Sequence, residues 1–254
     1  MGKRALFGFI YAGGLIGILG FTPHGTYMLA FFTLLLLNEV ARILDVQSRL
    51  PLLTFTTLFL IGGAIGNWGG PKEIISATLA IGIMMVLALL RAERPAHEMR
   101  RGLFALTYVF LPMALIIQTT RDFSELILFI FTMIWASDTF AYLTGRSFGK
   151  HPFAPKLSPK KTIEGFAGGV VGTIFTGFAV NYYWNLLDVD VALALAAVVS
   201  ITAPFGDLVA SSLKREADVK DSGLFLPGHG GALDRLDSFL TAAPIAILIY
   251  QYMI

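Results

Sequence analysis

The sequence predicts an all-α, polytopic integral membrane protein of about nine transmembrane helices, with its N-terminus in the cytoplasm and its C-terminus outside. Three observations predict it. Hydrophobic residues make up 56% of the 254 positions and charged residues only 14%, with a mean hydropathy of +0.72, far from the balance of a soluble domain. Apolar runs of membrane-crossing length recur along the whole chain. The basic residues, finally, fall almost entirely in alternate loops. With no cysteine present, a disulfide framework, a thiolate nucleophile and a cysteine-ligated zinc are excluded, and no nucleic-acid partner is expected.

Nine runs are long enough, with some tilt and interfacial flanks, to cross a hydrocarbon layer of roughly 30 Å. They are 4–21, 25–41, 51–68, 73–90, 102–119, 124–144, 163–186, 190–210 and 238–254. The first follows Lys3 and Arg4 as a secretory signal would, but no small-x-small cleavage site follows it, so it reads as a retained helix. With the N-terminus inside, cytoplasmic segments collect seventeen of the nineteen lysines and arginines, leaving Lys72 and Arg121 outside. One miscounted helix would invert every later loop and spoil that asymmetry, so the charges support nine spans. The chain reads as a single membrane domain, 1–254. Within it, 1–118 supplies packing and a lipid surround, and 119–254 carries the chemistry. Glycines 13, 14, 17, 20, 62, 63 and 66 are expected to let helix backbones approach closely; a lining for a lipid tail is the alternative.

In the second part, Asp138 lies within Trp135-Ala-Ser-Asp-Thr-Phe-Ala-Tyr142, where a carboxylate is expensive without a partner. A functional role and a structural hydrogen bond to a neighbouring helix both meet that cost. Ser158 before Pro159 reads as a helix N-cap with proline at the first helical position. Lys160 and Lys161 would make that N-terminus attractive to a phosphate, and an ordinary basic loop reads equally well. The run 163–186 contains Gly165 with Gly169 and Gly168 with Gly172, the spacing of closely packed membrane helices. Asp207, beside Gly206 and near Pro204, suggests a locally broken helix. Its acid needs a cation, and Lys214 and Arg215 come a turn or two later.

The most polar stretch, 211–237, holds four cations (Lys214, Arg215, Lys220, Arg235) and five carboxylates (Glu216, Asp218, Asp221, Asp234, Asp237) around a glycine-rich turn at His229. Asp234 and Asp237 are spaced i, i+3 and share a face of any helix they occupy. With Asp207 they make an all-oxygen set that suits magnesium rather than zinc or copper. Salt bridges to Lys214, Arg215 and Arg235 are the alternative.

Ser211, Lys214-Arg215, Lys220-Asp221, Gly223, Leu226-Pro227, His229-Gly230-Gly231 and Asp234-Arg235-Leu236-Asp237 closely resemble the signature of the phosphatidate cytidylyltransferases, or CDP-diacylglycerol synthases. Ser158-Pro-Lys-Lys-Thr-Ile-Glu-Gly165 resembles a second run of that family. Ala232 departs from it, standing where a larger aliphatic residue is usual, which touches packing and leaves the charges intact. Length and the distribution of apolar segments also resemble the bacterial members, so the likeness covers essentially the whole chain.

The resemblance implies a reaction in which the phosphate of phosphatidic acid attacks the α-phosphorus of CTP, giving CDP-diacylglycerol and pyrophosphate. It implies catalytic roles for Lys214, Arg215, Lys220, Asp221, His229 and Arg235, and substrate contacts from Arg146, Ser158, Lys160, Lys161, Ser211, Gly230 and Gly231. Magnesium would be held by Asp207, Asp234, Asp237 and Asp138, with room for a second, monovalent cation. A homodimer in the bacterial inner membrane is implied, its site facing the cytoplasm, where CTP arrives from water and phosphatidic acid from the leaflet. Two other classes compete. A secondary transporter using Asp138 and Asp207 as ion sites leaves the Lys-Asp and His-Gly-Gly run unexplained. A CTP-dependent polyprenol or lipid-alcohol kinase would release CDP instead of pyrophosphate.

Overall fold

A computed structural model of the protein describes residues 2–46, 53, 54, 56, 71–223, 225 and 230–254. The expected span 51–68, apart from those three positions, and the candidate residue His229 lie outside the described residues. Eight helices succeed one another among those described: α1 (Gly2–Phe21), α2 (Gly25–Ile43), α3 (Pro71–Arg91), α4 (Pro95–Asp122), α5 (Ser124–Phe148), α6 (Ile163–Trp184), α7 (Val189–Glu216) and α8 (Leu233–Met253). Six of them, α2 and α4 to α8, are long and apolar enough to cross a membrane. Charged flanks are helical too, so α8 starts at Leu233 and carries Asp234 and Asp237 in its first turn and a half.

The expectation of helices alone is corrected by a two-stranded antiparallel hairpin, β1 (Pro152–Ala154) and β2 (Ser158–Thr162), with Pro152 opposite Thr162 and Ala154 opposite Ser158. Ser158 therefore opens a strand and caps no helix. Proline's fixed φ suits extended chain as well as a first helical turn. The turn containing Pro155, closed by the Leu157 N–H donating to the Ala154 carbonyl at 3.2 Å, commits Ser158–Thr162 to the hairpin. The true cap is Thr162, whose Oγ1 accepts from the Gly165 N–H at 3.1 Å.

Contacts sort the helix ends into two sets. At one end Arg101 reaches Asp45, Arg42 donates to the Ser222 carbonyl, and Lys161 pairs with Asp207. At the other, Thr120 lies against Gly25 and the Phe123 ring is 5.8 Å from that of Tyr250. The hairpin, the α7–α8 link and the end of α2 thus share one end of the bundle, and the candidate site forms there. Between the ends, buried side chains of α1 to α5, α7 and α8 make one apolar cluster, with Val180 of α6 packed against it and Phe131 stacked on Phe239 at 3.9 Å. Buried threonines return their hydroxyls to the carbonyl one turn back, as Thr33 does to Leu29 and Thr173 to Gly169, each at 2.7 Å. These hydroxyls then need no water at membrane depth.

Helix α6 lies against α5, and α7 against α8. The α6 glycines behave as their spacing predicts. A Cβ on Gly172 would collide with the Phe140 ring and one on Gly168 with Thr144, while one on Gly169 would stand 3.2 Å from Ala141 Cβ. By contrast, a Cβ on Gly13, Gly14 or Gly17 meets nothing within 4 Å among the described residues. Among the described residues Gly13, Gly14 and Gly17 are therefore not close-packing positions, whereas a Cβ on Gly20 would stand 3.3 Å from Leu128 Cδ2; glycines 62, 63 and 66 lie outside the described residues. Gly172→Ala is expected to lower stability by about 1–3 kcal/mol through overpacking, seen as a lower Tm in detergent, while Gly14→Ala leaves Tm unchanged or higher.

Helix α7 also corrects an expectation, since it continues through Pro204 instead of breaking there. Gly206 has a different use: a Cβ on it would stand 2.7 Å from the Asp237 carbonyl oxygen and 3.0 Å from Ser238 Cα. The backbones of α7 and α8 therefore touch where Asp207 and Asp237 leave them.

Candidate active site

Helices α5, α6 and α7 and the hairpin enclose a cavity of about 360 Å³. Asp138 and Arg146 reach it from α5 and Lys160 and Lys161 from β2, while Tyr142, Phe153 and Phe166 supply aromatic wall. Phe153 stacks on Phe166 at 5.1 Å, and Arg146 Nη1 donates to the Tyr142 hydroxyl at 3.3 Å. Three cations against one carboxylate, in a pocket with an apolar side, suit an anionic ligand that has an apolar part.

Two ion pairs organise the polar residues. Lys161 pairs with Asp207, whose Oδ1 also accepts from Ser211 Oγ at 3.2 Å. The cation for Asp207 thus comes from the hairpin and not, as the sequence suggested, from Lys214 or Arg215. Lys214 instead pairs with Asp234 at 2.5 Å, their side chains only 10% and 11% exposed. The second oxygen of Asp234, Oδ2, accepts from the Ser222 N–H (2.8 Å), Ser222 Oγ (3.0 Å) and the Gly231 N–H (2.9 Å). Gly230 has φ +83°, and a Cβ there would collide with that same oxygen, so both its conformation and its size require glycine.

Asp237, half-buried one turn further along α8, differs from Asp234. Its Oδ1 accepts from the Ser238 N–H at 2.7 Å, its charged neighbours are Asp207, Lys214 and Asp138, and no lysine or arginine among the described residues forms an ion pair with it. Asp138 is open to the cavity it lines. Among the described residues no three acidic or histidine side chains converge into a complete metal site. Magnesium seldom uses one: it keeps waters and takes one or two carboxylates together with substrate phosphates. Asp207 and Asp237, leaving touching backbones near Asp138, fit that mode: the Asp207 side chain is a third exposed, so that an ion can displace Ser211 Oγ from its Oδ1, whereas Asp234 is 11% exposed and held by Lys214, Ser222 and Gly231 together.

Comparison with known proteins places this chain. The cytidylyltransferase family model matches residues 2–253. The chain belongs to the cytidylyltransferase family. It is similar to the phosphatidate cytidylyltransferase of Staphylococcus saprophyticus, at 34% identity over 234 residues, 89% of this chain and 88% of the relative. It is also similar to that of Staphylococcus haemolyticus, at 32% identity over 252 residues, 93% of this chain and 96% of the relative. A third, from Staphylococcus epidermidis, is 41% identical over 151 residues, 59% of this chain and 58% of the relative.

The residues expected from the family signature divide into three groups. Asp138, Arg146, Lys160 and Lys161 line the cavity, with Asp207 and Ser211 adjoining through Lys161 and Asp237 against Asp207. Lys214, Asp234, Gly230 and Gly231 make a second cluster that braces the start of α8. Arg215, Lys220, Asp221 and Arg235 are exposed, and Arg215 Nη1 donates to the Val219 carbonyl at 3.1 Å, closing the end of α7. Ser158, at the turn end of β2, is not among the residues lining the cavity.

The family signature did not lead to Glu39. This buried α2 carboxylate accepts from Ser222 Oγ (2.7 Å), the Ala232 N–H (2.9 Å) and the Leu233 N–H (2.9 Å). Its signal in the sequence is the one that singled out Asp138, an acid inside an apolar span. The run 25–41 conceals it because Glu39 lies near its end, between Asn38 and Arg42, where polar residues read as an interfacial flank.

Proposed function

We propose that this chain is a phosphatidate cytidylyltransferase, transferring CMP from CTP to phosphatidic acid and releasing pyrophosphate. The observation that carries the reading is its near full-length likeness to relatives of that name. In the reaction a phosphate oxygen of phosphatidic acid forms a bond to the α-phosphorus of CTP. The bond from that phosphorus to the oxygen bridging to the β-phosphate breaks, and its electron pair leaves with pyrophosphate. The lipid supplies the attacking oxygen, so the protein needs no nucleophile and contributes position and charge. Arg146, Lys160 and Lys161 take phosphate oxygens in the cavity, with Lys161 steadied by Asp207. Tyr142, Phe153 and Phe166 face the apolar part of the ligand. Asp207 and Asp237, beside Asp138, would hold magnesium. Once bound, magnesium neutralises charge on the reacting and leaving phosphates.

The same proposal places the protein in a bacterial inner membrane as a homodimer of nine-span chains, N-terminus inside, with the cavity at the cytoplasmic face. Support comes from the gathering of Arg42, Arg101, Arg146, Lys161 and Lys214 at one end of the bundle. A single cysteine at Lys156 should then label from inside only; labelling from outside in intact cells would overturn this topology. The activity is tested with purified protein, magnesium, phosphatidic acid and CTP, where CDP-diacylglycerol and pyrophosphate are expected in equal amounts. Release of CDP with a phosphorylated lipid alcohol would replace this reading by the kinase, and solute flux without CTP turnover by the transporter. Lys160→Ala and Arg146→Ala are each expected to raise KM for phosphatidic acid about tenfold or more, the worth of a charge-assisted hydrogen bond. Lys150→Ala, at an exposed position outside the cavity lining, should leave it unchanged.

A further inference from the structure

Helix α2 does more than pack. Glu39 is only 7% exposed, and three donors converge on it from a segment about 190 residues away. Oε1 accepts from the Ala232 N–H, and Oε2 from Ser222 Oγ and the Leu233 N–H. Ala232 and Leu233 begin α8, where amides have no partner within their own helix and the helix dipole favours a negative charge. Two glycines of the polar stretch make the room: a Cβ on Gly223 or Gly231 would collide with the Glu39 carboxylate. Two more contacts come from the same helix. Arg42 donates to the Ser222 carbonyl, and the Phe32 ring meets Phe225 edge-on at 5.7 Å. Ser222 Oγ lies between both acids, at 2.7 Å from Glu39 and 3.0 Å from Asp234, and shares its single proton between them.

We propose that Glu39 is a positioning residue for cytidylyl transfer: from α2 it clamps the start of α8 and so sets where Asp237 stands against Asp207. The role rests on the proposed function and on Asp237 belonging to its site. Glu39 is outside the cavity lining and acts only through α8. It also makes the N-terminal helices part of the active machinery.

Glu39→Gln keeps the size but turns an NH2 group toward donors that needed an acceptor, so at least one of the three hydrogen bonds is lost. In the full-length protein, a peptide spanning 230–236 is expected to be protected from hydrogen exchange in the wild type, with protection about tenfold or more lower in Glu39→Gln. Turnover per folded molecule should fall about tenfold or more while KM for CTP stays within about twofold, because no substrate contact is removed. Glu39→Asp, which keeps the charge but is one methylene short, should recover part of kcat. A purely structural glutamate would lower Tm and leave kcat per folded molecule unchanged, and that result overturns the proposal. Should Glu39→Gln fail to fold, Ser222→Ala, which removes only the bridging hydroxyl, is expected to lower kcat about threefold at unchanged KM; wild-type kcat there also overturns it. Rapid exchange of 230–236 in the wild type removes the clamp itself. Absence of CDP-diacylglycerol from the wild-type assay instead defeats the functional reading while leaving the exchange result standing.

Discussion

Asp237→Asn is expected to insert and fold, yet to lose turnover by about two orders of magnitude or more, a loss of roughly 2.7 kcal/mol or more of transition-state stabilisation. The amide keeps the size of the side chain and an oxygen to accept from the Ser238 N–H. Its loss is the charge, at the acid of α8 that makes no ion pair among the described residues. Removing it relieves repulsion from Asp207 and Asp138, so Tm should hold or rise. A neutral amide oxygen is also a poorer ligand for a hard cation, so residual activity should need more magnesium. The measurement is cytidylyltransferase activity across a magnesium series beside a melt of the same sample. An active variant with an unchanged magnesium response would take Asp237 out of the site.

Lys214→Met should act in the opposite way, on stability first. It leaves Asp234 about nine-tenths buried without its cation, and breaking a buried pair from one side costs about 3–5 kcal/mol, a large part of the roughly 5–15 kcal/mol that holds a typical domain folded. The three donors from Ser222 and Gly231 soften the loss without cancelling a full charge. A steep fall in Tm is therefore expected, and Lys214→Met with Asp234→Asn should recover much of it, because the charge left unpaired is then gone. If Lys214 served a substrate phosphate instead, the single variant would melt normally and show a raised KM for CTP, and the bracing role would be lost.

What could be read from the residues depended on how local the feature is. The α6 glycines were legible because a small residue every fourth position puts one bare stripe on one helix, and Phe140, Thr144 and Ala141 of α5 fill it. Gly13, Gly14 and Gly17 of α1 carried the same signal with nothing against them among the described residues. Ser158-Pro159 misled because its dihedral preference is shared by a helix start and a strand, and the turn at Pro155 made the choice. Asp138 was legible as an isolated acid in apolar sequence. Glu39 carries the same signal, but its meaning lies wholly in a segment 194 residues away.

The sequence by itself determined that the chain is a membrane protein, where most of its helices run, and which family's charged signature it carries. Each of these is set by a cost paid residue by residue: about twenty apolar side chains against a hydrocarbon layer, or a run of charges that no such layer would hold. Only the tertiary structure decided which charge meets which. Along the chain Lys214 and Arg215 are the cations nearest Asp207, and Lys161 lies far upstream of it. Yet α7 and α8 touch at Gly206, the hairpin folds Lys161 onto Asp207, and Lys214 is left to Asp234. An ion pair or a capping hydrogen bond is settled within a few ångströms, and helix packing sets distances on that scale.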